Sequence, residues 1–163
     1  DSNLLSRRIG TTREVLVASP AYLRQHGTPT SLRDLKNHRC LAVGNAVRRR
    51  TTWRFDSADG PVEISVRCRT TSNSVLALIL AACMDDGIIN VPELLVSGEL
   101  SQGLLTTVLP ELSDARAYGI FAVYPNLKPP AKIRAFIDFV EQELQSLNTM
   151  ARWSPLSTSG DSD

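Results

Sequence analysis

Near the C-terminus Ile133, Phe136, Ile137, Val140, Leu144 and Leu147 follow one another in helical steps of three and four. At 3.6 residues per turn they form a single apolar stripe. Such a helix takes its stability from packing more than from intrinsic propensity. Any fold open to this chain must therefore lay an apolar surface against that stripe.

Short apolar strands alternating with helices supply candidates for that surface. "REVLVAS" (13–19) reads as a buried strand, rich in Val and Leu. Pro20 suits a first helical position, with Ser19 placed as the cap and Gly27 as the stop. "SLRDLKNH" (31–38) gives a second short helix and "CLAV" (40–43) a strand. "TTWRF" and "VEISVRC" form a hairpin about the turn-rich "DSADG". Its second arm alternates Val62, Ile64, Val66 and Cys68 with polar residues, the period of a half-buried strand. "TTSNS" (70–74) opens an apolar helix reaching about Met84 and ending at Asp85-Asp86-Gly87. Asp is one of the few residues other than Gly that tolerate the turn geometry required there. "GIINVP" is an inner strand, a further helix begins at Pro92, "GLLTTVLP" is extended, and "AYGIFAVYP" (117–125) is the last strand. The Ser-rich, aperiodic residues after Leu147 read as a disordered tail. This order predicts an α/β protein with a mixed sheet. Two extended passages, 5–19 and 103–124, are long enough to cross between lobes, and hinged lobes close on ligands.

Composition removes several functional classes. Lys and Arg number 18 against 17 Asp and Glu, which argues against a dedicated nucleic-acid surface. The run Arg48-Arg49-Arg50 reads as a solvated loop beside the hairpin. "VLALILAAC" is far short of a membrane span. Cys40, Cys68 and Cys83 are widely spaced reduced thiols, and neither they nor His26 and His38 show metal-ligand spacing. No nucleophile or phosphate-loop motif is present. Neither a cofactor, a metal nor a catalytic group is therefore expected, and the thiols point to a cytoplasmic protein.

The most promising ligand-binding stretch is "TTSNS". A strand that ends in hydroxyls at a helix N-terminus presents unpaired N–H groups and the positive end of the helix dipole, which receive anions. Thr71, Ser72, Asn73 and Ser74 add side-chain donors. Simple helix capping accounts for the same residues.

Taken in order, "VLVASPAYLRQHGTP", "LRDLKNHRCL", "WRF…VEISVRCRTTSNSVLALILAA", "DGIINVPELLVSGELSQGLL", "VLP" and "FAVYPNLKPPAKIRAFIDFVEQEL" resemble the effector-binding half of LysR-type transcriptional regulators, from about Asp1 to Leu147. Asp85 departs from the Gly-x-Gly that the family often has at this point, which puts the path into "IINVP" in question. The resemblance implies a periplasmic-binding-protein-like fold of two lobes with a small-molecule effector between them. It places residues 1–14 as the remnant of a first lobe and hinge strand, and 15–106 as the second lobe. Residues 107–148 then return to the first lobe, and 149–163 are the tail. It also implies an upstream winged helix-turn-helix for DNA, absent from this chain, and assembly as a dimer or tetramer. By the same resemblance Thr71–Ser74 face the cleft, with "LAVG" (41–44) as another wall. Arg8 and Thr11 on the first crossing segment and Tyr124 at the end of the last strand would border it. An arginine there suits an acidic effector, although a solvated or structural role is the ordinary one for it. A periplasmic solute-binding protein shares this fold and is the alternative, told apart by a secretory signal.

Overall fold

The computed structural model describes residues 4–44, 50–57, 60–112, 117–125 and 129–151. A 14-residue strand, β1 (Leu5–Ala18), runs into α1 (Pro20–His26) and a 3-10 turn, Leu32–Asn37. There follow β2 (Cys40–Val43), the hairpin strands β3 (Arg50–Ser57) and β4 (Gly60–Ser72), α2 (Val75–Cys83) and β5 (Ile88–Pro92). A 3-10 turn, Glu93–Leu95, leads to α3 (Ser97–Ser101), β6 (Thr106–Val108) and a third 3-10 turn, Pro110–Leu112. The chain ends in β7 (Ala117–Tyr124) and α4 (Ala131–Ala151). The strands lie in the order β3-β4-β2-β5-β1-β6, and β7 pairs with the N-terminal part of β1. β2 is parallel to β4 and β5, whereas β1 is antiparallel to β5, β6 and β7.

Alternation along these strands sorts the core onto two faces. Leu16, Cys40, Ala42, Val66 and Ile88 pack with Tyr22, Leu35, Trp53 and Phe55 on one side of the sheet. Val15, Val17, Leu41, Ile89 and Val91 pack with Leu78, Ile79 and Ala82 of α2 on the other. Burial of both faces explains why β2 reads as an apolar run and β5 as one broken only by Asn90.

Ser19 caps α1 as expected: its Oγ accepts from Tyr22 N at 3.0 Å, and Gly27 closes the helix at φ 85°. The fully buried Tyr22 ties three segments together. Its hydroxyl accepts from Arg39 N at 2.9 Å and meets His38 Nδ1 at 3.1 Å, while its ring stacks on His26. Burial pushes the His38 pKa down and the Tyr22 pKa up.

The departure at Asp85 resolves into a complete helix stop. Asp85 sits at φ 64°, and Asp85 N and Asp86 N donate to the carbonyls of Ala82 and Ala81. This is a Schellman ending with aspartate in the left-handed position usually held by glycine. The carboxylate adds what glycine lacks, for it accepts from the buried Ser19 hydroxyl. Asp86 accepts from Thr70 at 2.6 Å. Gly87 is required for space: a Cβ there would lie 2.3 Å from the Arg39 carbonyl oxygen, which accepts from Ile88 N.

The stripe of α4 faces β1. Leu144 approaches Gly10, Ile137 is buried, and Arg7 pairs with Asp138 at 2.7 Å and with Glu141. Ile120, Ala122 and Tyr124, on the β7 face that carries Ile120 toward Gly10, are half-buried. Cover is incomplete: Phe136 keeps 66% and Phe139 57% of its surface exposed, and Phe121 and Val123 project from β7 into the open.

Several expected boundaries move. Residues 32–37 form a 3-10 turn, and Pro92 ends β5 instead of starting a helix. β4 continues through Ser72, and α4 runs to Ala151, into the stretch expected to be tail. Arg48 and Arg49, the hairpin tip 58–59, residues 113–116, Asn126 and the tail from 152 lie outside the described residues.

Two outcomes follow from this packing. Asp85→Ala should cost roughly 1–3 kcal/mol in urea denaturation, through left-handed strain and the lost Ser19 hydrogen bond. Asp85→Gly should cost clearly less, and equal losses would contradict the backbone argument. Burial pushes the Cys40 thiol up to about 12. At pH 8 only about one Cys40 in ten thousand would then be thiolate, so iodoacetamide should label the half-buried Cys83 well before Cys40 by mass spectrometry.

Candidate functional site

The parallel strands β4, β2 and β5 end along one edge at Ser72, Val43 and Pro92. In open α/β sheets this carboxyl edge is where ligands bind. β4 arrives there as Thr70-Thr71-Ser72, and α2 starts just beyond. Two of the hydroxyls in this turn are engaged locally. Ser74 Oγ accepts from Ala77 N at 3.4 Å, and Ser72 Oγ accepts from Ser74 N at 3.0 Å. Asn73 is exposed and Thr71 half-buried. The turn therefore caps α2, and its side chains lie at the sheet edge where the helix dipole favours negative charge.

A cavity of about 600 Å³ opens beside this turn. Ala42, Val43 and Gly44 from the end of β2, Thr71 from β4, and Arg50 and Thr51 from the hairpin line it, with Cys68 at its wall. Residues 42–44 of the strand end expected as a wall thus line it, while Leu41 turns into the opposite core face, and Arg50 adds a cation to the same lining. Of Thr71–Ser74, Arg8, Thr11 and Tyr124, Thr71 alone joins residues 42–44 in lining this cavity. Arg50 went unmarked because it closes a basic run that resembles a solvated loop.

The other candidates lie on the long strand pair. Thr11 faces Gly119, Arg8 faces Phe121 with its Cδ near Gly119, and both are exposed. Tyr124 lies opposite Leu5, six positions along β1 from Thr11 or roughly 20 Å at the rise of an extended chain. The structure therefore groups Thr71–Ser74 in one turn and spreads Arg8, Thr11 and Tyr124 along the ribbon.

Between these two regions β1 carries polar contacts that the sequence did not single out. Arg13 grips Glu93 with two hydrogen bonds of 2.7 and 2.9 Å, and Thr12 Oγ1 accepts from Leu94 N. Asn90 Nδ2 donates to Glu14 Oε2 at 2.6 Å, while Asn90 Oδ1 is buried without a hydrogen-bond partner. These are groups for binding and positioning. His38 is tied to Tyr22, burial raises the Cys68 thiol, and the described residues hold no metal-binding cluster. No described helix is long and apolar enough to cross a membrane.

Comparison with known proteins agrees with this geometry. The family model for the LysR substrate binding domain matches residues 1–145. The transcriptional regulator CrgA of Neisseria meningitidis is 32% identical over 146 residues, covering 88% of this chain and 48% of its own length. The regulator DmlR of Escherichia coli is 32% identical over 142 residues, covering 86% and 45%. The chain spans about half the length of these curated relatives. The CrgA regulatory domain superposes with a TM-score of 0.72 at 29% identity, over 88% of this chain and 70% of that one. The regulatory domain of AphB from Vibrio vulnificus gives 0.70 at 31%, over 88% and 70%. By the reach of that match, and with a mixed α/β fold that superposes on periplasmic-binding-protein-like regulatory domains, the chain belongs to the LysR substrate binding domain family.

Proposed function

We propose that this chain is the effector-sensing part of a LysR-type DNA-binding transcriptional regulator, taking a small anionic molecule at the carboxyl edge of its parallel strands. One observation carries the reading: the polar turn Thr71–Ser74 meets the N-terminus of α2 beside a cavity that Arg50 also lines. Four hydrogen-bonding side chains and a helix dipole, with a guanidinium in the lining of the adjoining cavity, suit a carboxylate. The chain acts by binding, with no catalytic step. Occupation of the site shifts the arrangement of the two lobes, or of paired copies, and so repositions DNA-binding segments carried elsewhere in the whole protein. Its place of action is the cytoplasm, where the target DNA is.

The division into lobes puts β7, α4 and the first half of β1 in a partial first lobe. Relatives have regulatory domains of which the matched region is about 70%. The polypeptide that completes those domains is the natural cover for Phe121, Val123, Phe136 and Phe139.

Two measurements bear on this reading. In thermal-shift and calorimetric titration with a panel of small mono- and dicarboxylates, Ser72→Ala and Asn73→Ala should weaken binding by about tenfold, one charge-assisted hydrogen bond each. Unchanged affinity in both would remove the site assignment. A longer chain carrying the rest of the regulatory domain should bind less of an apolar dye and melt at a higher temperature. An equally sharp, equally high melt for residues 1–163 alone would count against the partial lobe.

A further inference from the structure

Glu14 and Asn90 form a second polar group two strands from Thr71 and outside the cavity lining, and its chemistry is opposite to that of the first. The strand register shows how they stand to each other. Thr71 pairs with Ala42 across β4 and β2. One residue beyond the Leu41–Ile89 pair, Asn90 falls beside Ala42, and Asn90 in turn pairs with Leu16 of β1. Laterally paired side chains share a face, and Ala42 and Leu16 lie in the same core cluster. Thr71, Ala42 and Asn90 therefore make one row across the carboxyl edge, with Glu14 two positions further along β1 on that face. Thr71 and Asn90 stand two strand spacings apart, about 9.6 Å between Cα atoms. On the same edge the 3-10 turn Pro110–Leu112 packs against both β1 and β3.

At the Thr71 end the groups donate: hydroxyls, the start of α2 and the Arg50 guanidinium. At the other end they accept. The Glu14 carboxylate is half-buried and receives a hydrogen bond from Asn90 Nδ2, and Asn90 Oδ1 is a buried acceptor with no donor. A buried acceptor of this kind is costly unless some state of the protein satisfies it. Two acceptors side by side, one of them ionised, call for a positively charged N–H donor.

We propose that Glu14 and Asn90 hold the ammonium end of the effector, which is therefore a small zwitterion with an amino group and a carboxylate a few bonds apart. This rests on the effector-site reading above and narrows its ligand from any organic acid to an amino acid. Glu14 and Asn90 set the selectivity, and the Thr71–Ser74 turn takes the carboxylate.

The test titrates the full chain by calorimetry with a set of α-amino acids and with 4-aminobutanoate and 6-aminohexanoate, each beside the same acid lacking nitrogen. At least one amino acid should bind, and its deaminated partner should bind tenfold or more weakly. Glu14→Gln should abolish that difference, whereas Ser72→Ala should weaken both members of the pair. Asn90→Leu should also lose the amino acid while still binding the nitrogen-free acid through the Thr71–Ser74 turn, which shows that the fold is intact. Acids that bind as tightly as amino acids, yet remain sensitive to Ser72→Ala, would overturn the zwitterion and leave the effector site standing. Selectivity for the amino form that survives Glu14→Gln would overturn it as well, and so would binding by neither series.

Discussion

Both parts of the molecule hang on one strand whose surroundings change along its length. From Leu5 to Glu14, β1 has a single buried residue, Ile9, whereas Val15 to Ala18 are all buried. The first stretch pairs with β7 under α4, and the second is clasped between β5 and β6. The handover falls at Thr12–Glu14, where side chains reach from β1 to Asn90, Glu93 and Leu94. The proposed ligand contacts at Glu14 and Asn90 lie within this short polar stretch.

Where local chemistry decides structure, the elements were legible in advance. Ser19-Pro20 marks a capped helix start whatever lies nearby, and the alternation of Val62 to Cys68 admits only a half-buried strand. The stripe of α4 announced its need for a partner, which proved to be β1 rather than β7. What escaped were features fixed by distant pairing. "TTS" reads as the opening of a helix, yet β2 holds Thr71 and Ser72 in the sheet. Asp85 could be judged tolerable in a left-handed turn, but its bond to Ser19 depends on α1 and α2 meeting in space. The space reserved at Gly87 is set by Arg39, far away in sequence.

The candidate site divides in the same way. The hydroxyl turn was visible because a polar run before an apolar helix is a local signal. Its double use, as helix cap and as sheet edge, is geometric. Asn90 is hidden inside "IINVP", where one polar letter among apolar ones carries no period. Only the alignment of β5 with β1 brings it to Glu14. Arg50 was masked by its basic neighbours, and its place at a cavity wall depends on where the hairpin lies against β2.

The link between Ser19 and Asp85 also bears on how such a chain can diverge. With glycine at 85 the backbone is at ease, but the Ser19 hydroxyl, 3% exposed, loses its acceptor. With aspartate at 85 and an apolar residue at 19, α1 loses its cap and the carboxylate its donor. Neither position changes freely while the other stays, although they stand 66 residues apart. Across diverging descendants of this chain, the two sites should vary as a pair, and the state of one should foretell the other.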